Sequence, residues 1–156
     1  MKKLFALILT VCLLATMSVT AFAANTTGGE ADITTSIAPT YTVTIPADVN
    51  VAFNATETAF GTIEVTASQI HPDKCIKVAL ATDKELNNAI DNTKVIPYAI
   101  KDSEGAEFTS ATYLTEGDKT ELSIHITAND WKTAYAGEYS DTVTFTVSYV
   151  DKAANN

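Results

Sequence analysis

Most of the chain after residue 39 alternates apolar and polar residues with a period of two, which is the spacing of half-buried β-strands. The clearest run lies near the C-terminus, where Val143, Phe145, Val147 and Tyr149 alternate with threonine and serine. The same spacing predicts further strands at 41–45, 49–53, 60–66, 75–80, 95–100 and 122–126. Short turn sequences separate these runs. The pattern therefore predicts an all-β protein, an immunoglobulin-like antiparallel β-sandwich of about seven strands over residues 39–151.

Three segments fit this pattern less well. Residues 84–90 and 129–134 predict short helical turns, and Asn129 or Asp130 would cap the second. Ile33, Thr35 and Ile37 share one face at period two, but Pro39 follows and has no amide hydrogen for a ladder. Residues 24–38 are therefore a flexible N-terminal extension or an optional strand, and residues 152–156 are a polar tail.

Residues 1–23 predict a secretory signal peptide. Lys2 and Lys3 precede an uncharged apolar run, and Ala21 and Ala23 provide the small residues of a cleavage site. The run is slightly short for a membrane span of about 20 residues. We expect a secreted or cell-surface protein that has no membrane span after cleavage and is attached non-covalently.

Charge and cysteine content narrow the function. The chain has 10 Lys+Arg, 19 Asp+Glu and a net charge of -9, and loss of Lys2 and Lys3 with the leader makes it -11. Nucleic acid is an unsuitable partner, because binding it requires cations that replace phosphate counterions. The mature chain keeps only Cys75, so an internal disulfide is excluded. This free thiol is either buried or paired between molecules.

No pattern in the sequence points to catalysis. His71 and His125 are isolated and lack a metal-ligand spacing, and the carboxylates are scattered through predicted loops. Nucleophile, zinc and phosphate-binding motifs do not occur. We predict a non-enzymatic protein with no catalytic, cofactor or metal site.

Gly137, Tyr139 and Asp141 precede the last strand in the arrangement of a tyrosine corner, with Asp141 where a cysteine often stands. Trp131 and Tyr135 lie just before this motif. They form either an aromatic platform for a sugar or, in the case of Trp131, a plug at one end of the sandwich.

The run 131–149, which contains the sequence AGEYSDTVTFTVSY, resembles the C-terminal block of spore coat protein U-type domains and of chaperone–usher pilins. Residues 59–62 and 96–100 resemble an early and a central strand of the same families. The cysteine pair of many pilins is absent. The resemblance implies an exported structural or adhesive protein of a pilus, fimbrium or coat-like layer in bacteria.

Subunits of that kind lack a final strand, and the N-terminal extension of a neighbour fills the resulting groove. The resemblance thus makes Ile33, Thr35 and Ile37 a candidate donor strand, and other copies or other surface subunits candidate partners. Pairing of the same segment within its own subunit is the competing possibility. A stand-alone carbohydrate-binding module that uses Trp131 and Tyr135 on glycans is the alternative function, and a secreted enzyme is a third hypothesis.

Overall fold

The computed structural model describes residues 8–12, 30 and 32–153. The all-β, sandwich-like prediction is confirmed: the described residues form antiparallel strands and one short helix. In chain order the elements are β1 (Ile8–Cys12), β2 (Thr40–Thr44), β3 (Glu57–Gln69), β4 (Lys74–Ala81), β5 (Glu85–Asn88), β6 (Val95–Pro97), β7 (Ala99–Asp102), β8 (Ser110–Tyr113), β9 (Lys119–His125), α1 (Ala128–Thr133), β10 (Tyr139–Ser140) and β11 (Thr144–Asp151).

These strands form two main sheets and one small sheet. The larger sheet has the order β1-β2-β3-β9-β7, and the facing sheet has the order β11-β4-β8. The small sheet, β10-β5-β6, joins short segments from the middle and the end of the chain. Tyr41 of β2 stacks on Tyr149 of β11, with ring centroids 5.8 Å apart, so β2 and β11 lie on the same side of the sandwich.

Branched aliphatic side chains fill the space between the sheets. Ile63, Val65, Ile76, Val78 and Ile100 have no exposed surface, and each comes from an alternating run. Burial of such a side chain contributes about 1.5–3 kcal/mol relative to its exposure. Because Cys75 is unpaired among the described residues, no disulfide reinforces this part of the chain, and the apolar layer is its main source of stability.

The alternating runs correspond well to the observed strands, but several boundaries and types were wrong. The predicted strand at 95–100 is split at Tyr98 into β6 and β7, which belong to different sheets. Residues 84–90 contain β5 instead of a helical turn, because pairing with β6 and β10 prevails over local propensity. No strand forms at 49–53, where the chain turns through Asn54 at φ 65°. Strands β8 and β10 were not predicted.

Near the helix and at the chain ends the outcome is mixed. Helix α1 forms where a helical turn was predicted, but its N-cap is Thr127, whose hydroxyl accepts a hydrogen bond from the Asp130 amide at 3.2 Å. Of the predicted signal peptide, only Ile8–Cys12 lies within the described residues, as strand β1 on the edge of β2. Residues 32–39 form no strand. Residues 154–156 of the predicted tail lie outside the described residues.

The core layer makes a simple prediction for stability. Ile63→Ala should lower the free energy of unfolding by about 2–5 kcal/mol, because the fully buried side chain leaves a cavity. Ile90→Ala is the matched control, since Ile90 is 92% exposed, and it should change stability by less than about 0.5 kcal/mol. Urea unfolding of both variants measures the difference, and equal losses would contradict the assignment of the core.

Candidate functional site: the open side of the sandwich

The edge strands differ sharply between the two sides of the sandwich. On one side, β7 and β8 have only four residues each, and β7 carries the charged Lys101 and Asp102. The chain after β7 folds back over it, and the Phe108 amide donates to the Ile100 carbonyl at 2.9 Å. Short, charged or covered edges of this kind resist pairing with other chains. We call this side, with the outer edges of β7 and β8, the closed side.

On the other side, β2 and β11 carry no such protection in their own sequences, and β1 pairs along the outer edge of β2. Strand β2 has no charged residue and no proline, and β11 is uncharged until Asp151 at its end. We call this region the open side: the outer edges of β2 and β11 together with the cleft between them. Within the described part of the chain, β11 pairs with β4 alone, so its outer edge has no ladder partner.

The direction of β11 follows from two aromatic contacts. Tyr149 meets Tyr41, and Phe145 meets Phe60 at a centroid distance of 5.9 Å. The register of β3 on β2 places Phe60 beyond Thr44, in the direction in which β2 runs. Strand β11 is therefore antiparallel to β2. Its inward-facing Phe145, Val147 and Tyr149 remain only half-buried, because no strand covers them from the outer side.

A cleft of about 870 Å³ opens where β11 begins. Its wall is mixed: apolar side chains such as Phe60, Trp131 and Phe145 line it together with charged residues such as Asp48 and Glu138. At the opposite end of β11, the stacked rings of Tyr41 and Tyr149 fill the space between β2 and β11. The cleft thus continues the core outwards along the start of the unpaired strand.

Asp141 fastens the start of β11 to the rest of the domain. The hydroxyl groups of Thr82, at 2.7 Å, and of Tyr98 donate to its Oδ2, and the Thr142 amide donates to its Oδ1 at 2.5 Å. Burial raises the pKa of Asp141, but these hydrogen bonds outweigh burial and hold the pKa below its usual value. Burial and the hydrogen bond to Asp141 raise the pKa of Tyr98. Asp141 is therefore a charged anchor at neutral pH.

The segment before Asp141 has the hydrogen bond expected of a tyrosine corner. The Tyr139 hydroxyl donates to the Tyr135 carbonyl at 2.9 Å, four residues upstream. Gly137 has φ 153°, and a Cβ there would lie 2.5 Å from Nδ2 of the buried Asn88. Only glycine fits this close approach, which brings β10 onto β5.

Trp131 and Tyr135 lie in different environments. The Trp131 ring is half-buried against the core, its indole N–H donates to the Ala55 carbonyl at 2.8 Å, and Phe53 contacts it edge-on. Tyr135 is 64% exposed, and the Lys94 ammonium lies 5.1 Å from its ring centroid. Trp131 thus packs as a plug at one end of the sandwich, and Tyr135 is a surface residue.

The three candidate donor residues are exposed to solvent and do not pack against the core of their own domain. Ile33 is 99% exposed and Ile37 is 67% exposed, and Thr35 between them is also exposed. Residues 32–39, which contain this segment, form no strand. Ile33 and Ile37, four residues apart, therefore leave two large apolar side chains in contact with solvent.

The remaining candidate residues do not converge. Cys75 is buried and unpaired among the described residues, with its Sγ 3.9 Å from the Asp151 carbonyl oxygen. The His71 ring accepts a hydrogen bond from the Asp73 amide, and the His125 ring is hydrogen-bonded to Ser123. In the part of the chain that the structure describes, no group of three or more potential ligands could hold a metal ion. None of its helices has the length and hydrophobicity of a membrane span.

Sequence reasoning missed two members of this site. Thr82 was not singled out, and Tyr98 was placed within a strand without a role. The cluster joins residues from three separate segments, so no local spacing indicates it. The placement of Tyr98 on the apolar face of a run, with a hydroxyl that needs a partner, is the one signal the sequence carries.

Comparison with known proteins gave no match: no family model, no curated protein and no solved structure is significantly similar to this chain.

The Asp141 cluster predicts a specific pH dependence. Because the folded-state pKa of Asp141 is lowered, its stabilising effect is present above the unfolded value and is lost as the pH falls through the folded pKa. Asp141→Asn should cost about 1–3 kcal/mol at pH 7. It should also remove part of the stability loss between about pH 5 and pH 2.

Urea unfolding at several pH values measures both effects. Asp48→Asn is the control, because the exposed Asp48 also borders the cleft and the substitution removes the same charge. If both variants behave alike, general charge repulsion explains the pH dependence and the anchor does not.

Proposed function

We propose that this chain is an exported, non-enzymatic surface or structural protein, pilin- or coat-like, that self-associates by β-strand addition at the open side. The observation that carries the proposal is the outer edge of β11. This eight-residue strand has a partner on one side only among the described residues, and its inner side chains stay half-buried. An added strand would pair its free backbone groups and cover those side chains.

The path of the N-terminal extension favours a donor for a neighbouring molecule. Tyr41 lies beside Tyr149, near the end of β11, and β11 is antiparallel to β2. Ile37 is four residues before Tyr41, about 13 Å along an extended chain, whereas β11 continues only about 7 Å past Tyr149. The extension therefore leads beyond the end of its own sandwich.

A return onto the same molecule would need a sharp reversal between Ile37 and Thr40. Only Ala38 and Pro39 are available for it, and Pro39 has a fixed φ and no amide hydrogen. A type I′ turn would need positive φ at Pro39, which proline cannot adopt, and a type II′ turn would need it at Ala38, which a residue with a Cβ disfavours. Pairing within the subunit is thus disfavoured, and pairing with the next copy meets no such obstacle.

The chemistry of the extension matches the cleft. Ile33, Thr35 and Ile37 would face inwards from an added strand, with the two isoleucines about 13 Å apart. The cleft and the half-covered β11 offer apolar surface over a comparable length. Burial of both isoleucines would contribute about 3–6 kcal/mol to association before its entropic cost.

The remaining parts of the proposal rest on sequence. The leader supports export, and the acidic mature chain supports a role other than binding nucleic acid. Glycan binding by Trp131 and Tyr135 is the weaker alternative, because the Trp131 ring is half-buried and its N–H is already bonded to Ala55. Attachment to the cell surface would be non-covalent, through the assembled protein.

The donor strand predicts a distinctive effect of charge on one face. In the mature chain, residues 24–156, light scattering after gel filtration should show a concentration-dependent series of oligomers. Ile33→Asp with Ile37→Asp should abolish this series of oligomers, because it places carboxylates against the apolar surface of the open side. Removal of residues 24–38 should have the same effect.

Thr34→Asp with Ser36→Asp is the matched control, since it adds the same charge to the opposite face of the same segment. This control should retain the large oligomers. Equal loss with both pairs would mean that charge alone prevents association, and a mature chain that never exceeds a dimer would contradict strand addition.

A further inference from the structure

The edge of β2 accepts a strand in a defined register. Strand β1 pairs antiparallel with β2, and Leu9, Thr10 and Val11 lie opposite Val43, Thr42 and Tyr41. This register shows how the backbone of an added strand aligns with β2, whose Tyr41 and Val43 are buried.

The sequence of β1 follows the same pattern as β2 itself. Strand β1 reads I-L-T-V-C and β2 reads T-Y-T-V-T, so each has a central Thr with a large apolar residue on one side and Val on the other. If β2 of a second copy took the place of β1, Thr42 would lie opposite Thr42 of the partner subunit. Tyr41 would then lie opposite Val43 of the partner subunit, as it now lies opposite Val11.

Strand β2 carries no charge, proline or extra residue that would prevent edge pairing, because the register shift opposite Thr42 and Val43 comes from an extra residue of β3. Its five residues carry no charge, and Pro39 and Pro46 lie just outside the paired segment. Lysine, proline or a bulge on an edge strand is the common protection against unwanted pairing. The closed side of the sandwich has such protection at β7, which carries Lys101.

We infer that β2 is a self-association edge: in the mature protein, two copies pair β2 to β2, antiparallel, about a two-fold axis at Thr42, and the leader strand occupies this edge before cleavage. A two-fold contact of this kind is self-complementary, which makes it a common form of homodimer. Cleavage of the leader is then the event that exposes the edge.

The dimer would compete with the proposed strand addition for the same surface. Pairing at β2 brings the neighbouring β11 edges of the two copies towards each other, because β11 packs over β2. The two-fold dimer and donor insertion are thus alternative ways to cover the open side. The inference rests on the proposed function only for the cleavage of the leader, and it does not need a donor strand.

The test uses the mature chain with Ile33→Asp and Ile37→Asp, so that strand donation is removed and dimerisation alone is measured. Sedimentation equilibrium should show a monomer–dimer equilibrium. Thr42→Lys and Thr42→Glu, each added to this chain, should raise the dimer Kd about tenfold or more, because like charges face each other across the axis. An equimolar mixture of the two variants should restore the dimer, since opposite charges then meet.

Thr112→Lys is the matched control, because Thr112 is an exposed threonine on the edge strand of the closed side. Its dimer Kd should stay unchanged. The chain that retains residues 1–23 should remain monomeric, since β1 covers the edge. A donor-deficient mature chain that is monomeric at every concentration overturns the inference, whatever the outcome for donor insertion. Failure of the Lys and Glu mixture to restore the dimer, or dimerisation of the uncleaved chain, overturns it too.

Discussion

Backbone hydrogen bonding at the sheet edges is the constraint on which this protein depends. A layer of isoleucine and valine holds the two sheets together, but every sheet ends in a row of N–H and C=O groups that need partners. On the closed side, the short strands β7 and β8 and a returning chain limit this problem. On the open side, β11 has no second ladder partner among the described residues, and only β1 covers the edge of β2.

Polar and aromatic contacts fasten both ends of β11, although it has a ladder partner on one side only among the described residues. Asp141 holds the start of β11 through Thr82 and Tyr98, and Tyr149 holds its end through Tyr41 and the His71 amide. A rigid acceptor edge loses little conformational entropy when another strand is added, which favours binding. The same contacts that stabilise the described domain would thus favour the strand addition that we propose.

Much of the architecture was predictable from the alternation of residues. The runs that contain Ile63, Ile76, Ile124 and Val147 all became strands, because a period of two leaves one face to bury wherever the chain lies. The prediction was wrong where the pattern is short or mixed. Strand β5 consists largely of polar residues, Asn87 among them. Its pairing with β6 and β10 outweighs a weak helical preference.

The long alternating strands, the apolar core, the acidic charge and the alternation of Ile33 and Ile37 could be read from the sequence, since each depends on residue type and local spacing. Which edges lack a partner and which polar groups meet became visible in the folded domain alone. The anchor of Asp141 joins positions 43 and 59 residues apart in sequence, at Tyr98 and Thr82. Such contacts depend on how the two sheets pack, and no local pattern of the chain records that packing.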